Sequence, residues 1–256
     1  MNVFITGASS GIGAALVRHY AARGAHVGLY ARRQSEVDAL AATLPADRVA
    51  AYAGDVRDAS ALARAAADFI GRFGAPDVVI ANAGVSRGVL TEHAEDLATF
   101  RVILDTNVLG TVHSFHPFLA AMRAERRGAL VGIASVAGFR GLPGSGAYSA
   151  SKAAAIAYLE SLRVELAGSG VAVLTICPGY IATPMTARNP YRMPFMVDAQ
   201  RAARLIARAI DRRKRFYVLP WQMAIVGRLL QILPRPVYDA VFARAPRKPR
   251  QSGPDT

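Results

Sequence analysis

Thr6-Gly7-Ala8-Ser9-Ser10-Gly11-Ile12-Gly13 joins a short apolar run, Asn2-Val3-Phe4-Ile5-Thr6, to a stretch of helical periodicity near residues 11–23. Glycines at 7, 11 and 13 permit a tight turn and let backbone N–H groups approach a pyrophosphate, to which a helix starting near Gly11 adds its positive end. Ser9, Ser10 and Ile12 fill the same turn. The spacing is Gly-x-x-x-Gly-x-Gly rather than the commoner Gly-x-Gly-x-x-Gly, and a glycine-rich turn alone can be only a turn.

Outward from this turn, strand and helix patterns alternate. Strands are expected at 2–6, 25–31, 48–53, 77–82, 128–134, 171–177 and 215–219. Several are rich in Val and Ile without polar alternation, as strands covered on both faces require. Helices are expected near 11–23, 35–44, 58–73, 97–124, 147–168 and 198–213. Repeated βα units predict an α/β fold with a doubly wound parallel sheet and right-handed crossovers. No linker divides residues 1–220, which read as one domain; residues 221–256 read as a basic, apolar helical extension with a frayed end from 246.

A chain of 256 residues with a mean hydropathy of +0.22 can bury a substantial core and is too apolar for disorder. Its single Cys177 leaves neither a disulfide framework nor a zinc cluster, so no metal is expected. The run from Leu166 to Ala187 is uncharged, but Gly168, Gly170, Pro178, Gly179 and Pro184 interrupt it, which favours strand and loop over a membrane span. The start reads as a strand rather than a leader, and the expected location is the cytosol.

The net charge of +13 is uneven: residues 201–256 hold 13 Lys and Arg against Asp211, Asp239 and Asp255, and the first 200 residues are almost balanced. A basic excess raises nucleic acid, an anionic membrane or a phosphorylated ligand as partners. No nucleic-acid recognition module is recognisable, so nucleic acid is not expected.

The second strand ends Tyr30-Ala31-Arg32-Arg33, with no acidic residue before Glu36. An acidic residue here would bind ribose hydroxyls and favour NAD(H); two arginines can instead grip a 2′-phosphate, which favours NADP(H) unless they are a solvated basic turn. Asp55-Val56 after the third strand and Asn82-Ala83-Gly84 after the fourth fall on the same carboxyl edge of the sheet. Tyr148 and Lys152 stand four residues apart, on one face of a helix, and Lys152 is the only lysine before Lys214. A cation beside a phenol stabilises the phenolate. Lowering a tyrosine from about 10 to about 7 takes roughly 4 kcal/mol, within reach of a desolvated neighbour plus a cofactor's positive ring.

Thr6-Gly7-x-x-x-Gly11-x-Gly13, Asn82-Ala83-Gly84, Asn107, Ser135, Tyr148-x-x-x-Lys152 and Pro178-Gly179 occur in the order and rough spacing of the classical short-chain dehydrogenase/reductases, which residues 2–220 resemble. The resemblance implies a seven-stranded Rossmann fold and hydride transfer at a nicotinamide. It implies that Tyr148 is the general acid/base, that Lys152 binds the nicotinamide ribose, and that Ser135 bonds the substrate oxygen. Asn107 would hold a water-linked proton path near Lys152. Taken singly, Ser135 could cap a turn and Asn107 could satisfy a helix backbone. Ile181 and Thr183 resemble the family's contacts to the carboxamide, and Arg32 resembles its NADP-preferring members, although Ser10 stands where some of these carry a second basic residue.

By the same resemblance, Val85, Val136, Phe139, Leu142, Tyr180, Met185, Met193, Phe195 and Met196 would line a substrate pocket or pack its lid. Walls of this kind suit a hydrophobic, lipid-like or steroid-like ketone or alcohol. The expected activity is NADP(H)-dependent ketone–alcohol interconversion; the alternative is an NADP(H)-binding regulatory or scaffold protein. A homodimer or homotetramer through the helices near 97–124 and 147–168 follows from the resemblance. The extension at 221–256, with Trp221 and flanking arginines, reads as a peripheral membrane contact, an oligomer contact or a cover over the pocket.

Overall fold

A computed structural model describes residues 1–187 and 189–250 of the chain. Seven parallel strands form one sheet in the order β3-β2-β1-β4-β5-β6-β9. They are β1 (Asn2–Thr6), β2 (His26–Ala31), β3 (Val49–Ala53), β4 (Val78–Ala81), β5 (Ala129–Ile133), β6 (Ala172–Pro178) and β9 (Phe216–Leu219). Each expected strand is present. A small second pair, β7 (Ile181–Ala182) and β8 (Val197–Asp198), was not legible in the sequence because two residues carry no periodicity.

Helices cover both faces: α1 (Gly11–Ala21), α2 (Gln34–Ala41) and α8 (Ala199–Asp211) on one, and α3 (Ala59–Phe73), α5 (Gly110–Ala124) and α6 (Gly146–Glu165) on the other. Strand β1 explains why no polar alternation appears. Val3 and Ile5 enter the first core and Phe4 enters the second, all fully buried. The Phe4 ring meets Phe69 edge-on at 5.4 Å and Phe118 at 4.8 Å, and burial of a side chain of this size stabilises by roughly 1.5–3 kcal/mol.

The helix expected at 97–124 is two helices, α4 (Asp96–Leu104) and α5, joined by a π-helical turn at Asp105–Leu109. This wider turn contains Asn107, whose side chain bonds the backbone of Val85. Such an insertion leaves the apolar pattern nearly unchanged, so periodicity reads straight through it.

After β9, α9 (Trp221–Ile232) and α10 (Arg235–Phe242) fold back on the body. The backbone of Gly179 leaves room for Met223, and Gly227 lies against Phe139. Arg140 donates to the carbonyls of Leu230 and Leu233 at 3.2 and 3.1 Å, which closes the end of α9, and its guanidinium covers the Tyr238 ring at 4.4 Å. The expectation of a frayed end fails over 246–250. Lys248 is buried and donates to Ser86 Oγ at 2.7 Å, while Arg250 pairs with Asp96 at 2.9 Å and Glu95 at 2.7 Å. These partners are more than 150 positions away, beyond any local pattern; residues 251–256 lie outside the described residues.

The Arg250 guanidinium, followed by the Leu90 amide, holds the Asp96 carboxyl below the usual carboxylate range. A depressed carboxylate stabilises the fold above its unfolded value of about 3.9 and loses that contribution as pH falls further, through the folded value. Limited proteolysis of Arg250→Ala at neutral pH should therefore cleave the segment after α10 faster than in the wild type. The wild type should lose this protection only in acid below the usual carboxylate range. Equal cleavage of both proteins at neutral pH would show that the latch contributes nothing.

Candidate active site

The carboxyl ends of β1 and β4 lie side by side where the strand order reverses, and the chain diverges there to opposite faces. This is where open α/β sheets leave a crevice. The Thr6 hydroxyl accepts from the amides of Asn82 and Ala83 at 3.2 and 3.3 Å. The Asn82 side chain donates to the carbonyls of Thr6 and Gly7, both at 3.1 Å. The glycine turn is thereby tied to the end of β4. Gly7 has φ +64°, and an added Cβ would lie 2.7 Å from the Ala83 backbone; at Gly13 it would lie 2.1 Å from the Gly7 carbonyl oxygen. No larger residue fits either position.

A cavity of about 400 Å³ opens from this junction. At one end it is lined by Arg32, Arg33, Gly54, Asp55 and Val56, and in the middle by Gly7, Ser9, Ser10, Gly11, Ile12, Asn82, Ala83 and Gly84. At the other end stand Val85, Ser135, Tyr148, Lys152, Pro178, Gly179, Ile181, Thr183 and Met185. Of the residues expected at a cofactor site, only Gly13 is absent from the lining; it sits behind the turn, against Gly7. Asn107 is also outside, with neighbouring Thr106 on the wall.

The residues fit a dinucleotide. Ser10 precedes α1 without capping it through its side chain, so the first N–H groups of the helix have no side-chain partner from that residue. A glycine cradle and a positive helix end suit a pyrophosphate. At the β2 edge Arg33 pairs with Glu36 at 2.6 Å, while the charge of Arg32 acts on Asp55. Burial works against the Asp55 carboxylate, but bonds from the Arg57 side chain and backbone outweigh it and hold its pKa below the usual value.

At the far end α6 starts at Gly146, which puts Tyr148 and Lys152 one turn apart. Lys152 Nζ donates to the Ile133 carbonyl at 2.8 Å and lies 5.8 Å from the centre of the Tyr148 ring. Burial pulls Lys152 down to about 8, which still leaves it mostly an ammonium at neutral pH. The expected drop of Tyr148 toward 7 is not found in the protein alone. Burial pushes the phenol up, and the hydrogen bond with the Ser135 hydroxyl opposes it only in part; the Lys152 ammonium bonds the Ile133 carbonyl. The Cys177 thiol, buried nearby, is pushed up to about 12 and stays neutral.

Ser135 and Asn107 have the structural roles that their types allow. Ser135 Oγ accepts from the Ala137 amide at 3.1 Å. Asn107 accepts from the Val85 amide at 2.8 Å and donates to Val85 O at 3.0 Å and Ser151 Oγ at 2.9 Å. It therefore fixes the segment after Gly84, beside Lys152.

Few of the residues expected at a substrate wall reach this cavity. Of the nine residues named for it, only Val85 and Met185 line the cavity. Phe139 turns away to stack on Phe216 at 6.0 Å beneath Gly227, and Phe195 and Met196 are half exposed. Val136, Leu142, Tyr180 and Met193 are partly buried outside the lining. Ser86, Arg87, Lys248 and Pro249 line it instead. Lys248 is one of only three lysines in an arginine-rich chain, the same signal that drew attention to Lys152.

Residues 1–192 match the family model described as short chain dehydrogenase. An uncharacterized oxidoreductase of Myxococcus xanthus is 40% identical over 244 residues, spanning 94% of this chain and 95% of its own. The 11-beta-hydroxysteroid dehydrogenase 1A of Arabidopsis thaliana is 37% identical over 187 residues, 72% of this chain and 53% of its own. A short chain dehydrogenase from Burkholderia cenocepacia solved in complex with NADP superposes with a TM-score of 0.81 at 27% identity, covering 96% of this chain and 98% of its own. A short chain dehydrogenase/reductase from Burkholderia phymatum in complex with NAD gives 0.81 at 25% identity, covering 98% and 97%. The chain belongs to the short-chain dehydrogenase family and is an NAD(P)-dependent oxidoreductase of that family.

Proposed function

We propose that the chain interconverts a hydrophobic ketone and its secondary alcohol with NADP(H), using Tyr148 as the general acid/base. The observation that carries this reading is one cavity lined at one end by Arg32 and Arg33 and at the other by Ser135, Tyr148 and Lys152. When bound, the cofactor supplies or accepts the hydride. In the reductive direction the Tyr148 phenol, kept protonated by burial, donates its proton to the carbonyl oxygen, and Ser135 Oγ orients that oxygen. The phenolate left behind is stabilised by the Lys152 ammonium, which Ile133 O holds in place. Burial of Tyr148 thus favours the acid form first, and Lys152 serves the charge that follows. Val85 and Met185 support a hydrophobic substrate, as does the plant relative whose name is that of a hydroxysteroid dehydrogenase.

NADPH oxidation across ketones graded by chain length and ring number should give kcat/KM values that rise with apolar size. Tyr148→Phe should lower them about 10²–10⁴-fold while NADPH binding is retained. Equal rates on small polar sugars would overturn the substrate class, and undiminished turnover by Tyr148→Phe would overturn the acid/base role. No turnover of any ketone with intact cofactor binding would favour a regulatory or scaffold protein.

Arg32→Ala should weaken NADPH about ten- to a hundredfold by calorimetry and leave NADH nearly unchanged, since a charge-assisted bond is worth about 1.5–3 kcal/mol. An equal loss for both cofactors would contradict the NADP(H) preference.

A further inference from the structure

Helix α9 is apolar on two opposite sides. Residues advance about 100° around a helix, so Met223, Gly227 and Leu230 share one side, and the first two are buried against Gly179 and Phe139. Trp221, Ile225, Leu229 and Ile232 share the other, with 68, 52, 57 and 74% of their surface exposed. Exposed Arg228 falls within the same stripe. Helix α10 repeats the division: Tyr238 is buried and stacks on Phe242 at 4.3 Å, while Val237 and Val241 face outward. A helix with an apolar stripe on each side leaves one stripe for something to cover.

Charge indicates the cover. Residues 221–250 carry six Lys and Arg against Asp239 alone. Arg228, Arg235 and Arg244 are exposed and form no ion pair among the described residues. The contrast is with α4–α6, where a second copy is expected. Exposed Leu97, Leu109 and Val164 there accompany Arg101 paired with Asp105 and Arg163 paired with Glu160, both at 3.7 Å. Mixed charge suits a protein surface, whereas an apolar stripe edged by cations alone suits an anionic lipid headgroup layer.

We propose that the outer face of α9 and α10 docks on an anionic bilayer surface. Trp221, Ile225, Leu229 and Ile232 enter the boundary between headgroups and acyl chains, and Arg228 and Arg244 meet lipid phosphates. No helix among the described residues is long and apolar enough to cross a membrane, and the proposed contact is with the surface alone. The same extension supplies Lys248 and Pro249 to the cavity rim, so docking brings the cavity close to dissolved apolar substrates. The surface contact does not depend on the proposed reaction.

The test floats the full chain with vesicles of phosphatidylcholine alone or mixed with phosphatidylglycerol, and follows the fluorescence of Trp221, the only tryptophan. The expected result is flotation and a blue shift with the mixed vesicles only. Replacing Arg228 and Arg244 by Gln should weaken partitioning by roughly thirtyfold. Ile225→Glu with Leu229→Glu should abolish it and leave NADPH binding intact. No flotation, or equal flotation with both vesicle types, overturns the proposal. So does a dimer, measured by light scattering without lipid, that the two Glu substitutions dissociate, because the face then belongs to a second copy.

Discussion

The buried Thr6 hydroxyl and the Asn82 carboxamide, stitched across the ends of β1 and β4, are the constraint on which the site depends. Strand β1 is fixed by two cores at once, with Val3 and Ile5 on one side and Phe4 on the other. Its end therefore has little freedom to shift. The stitch transmits that rigidity to the glycine turn, and the missing Cβ atoms of Gly7 and Gly13 let the turn close on Ala83 and on itself. A rigid edge with open backbone N–H groups can bind an anion without reorganising, and preorganisation of this kind is what makes electrostatic binding effective.

The opposite end of the cavity depends on burial. Lys152 and Tyr148 are pushed in opposite directions by the same loss of solvent, the ammonium down to about 8 and the phenol up. Both effects favour the neutral form of each group, but the shift of Lys152 stops at about 8, so at neutral pH the site at rest holds a protonated donor beside a cation anchored on Ile133 O. Asn107 adds the backbone support. The π-turn brings its carboxamide to both polar groups of Val85, which holds the segment after Gly84 beside Lys152.

Much of this was legible in the sequence. Strand positions followed from β-branched apolar runs, and the glycine turn, Asn82 and the Tyr148–Lys152 spacing each sit on a strand end or a helix face whose period is visible, whereas Ser135 was implied by the family resemblance alone. What was not legible depends on distance or on direction. The pairing of Lys248 with Ser86 spans 162 positions and has no local signature. Phe139 was read as a pocket wall because of its chain position, but an aromatic side chain follows its neighbours, and Gly227 and Phe216 offered a closer fit. The π-turn was hidden because one inserted residue barely disturbs a 3.6-residue period.

The reaction proposed for this cavity transfers hydride from a reduced nicotinamide to a carbonyl carbon under the control of Tyr148. Its most direct test supplies NADPH deuterated at the transferring position together with an apolar ketone, and locates the label in the alcohol by mass spectrometry and NMR. Deuterium is expected on the carbinol carbon, on one face only. Product without deuterium on that carbon, or with the label equally on both faces, would contradict it.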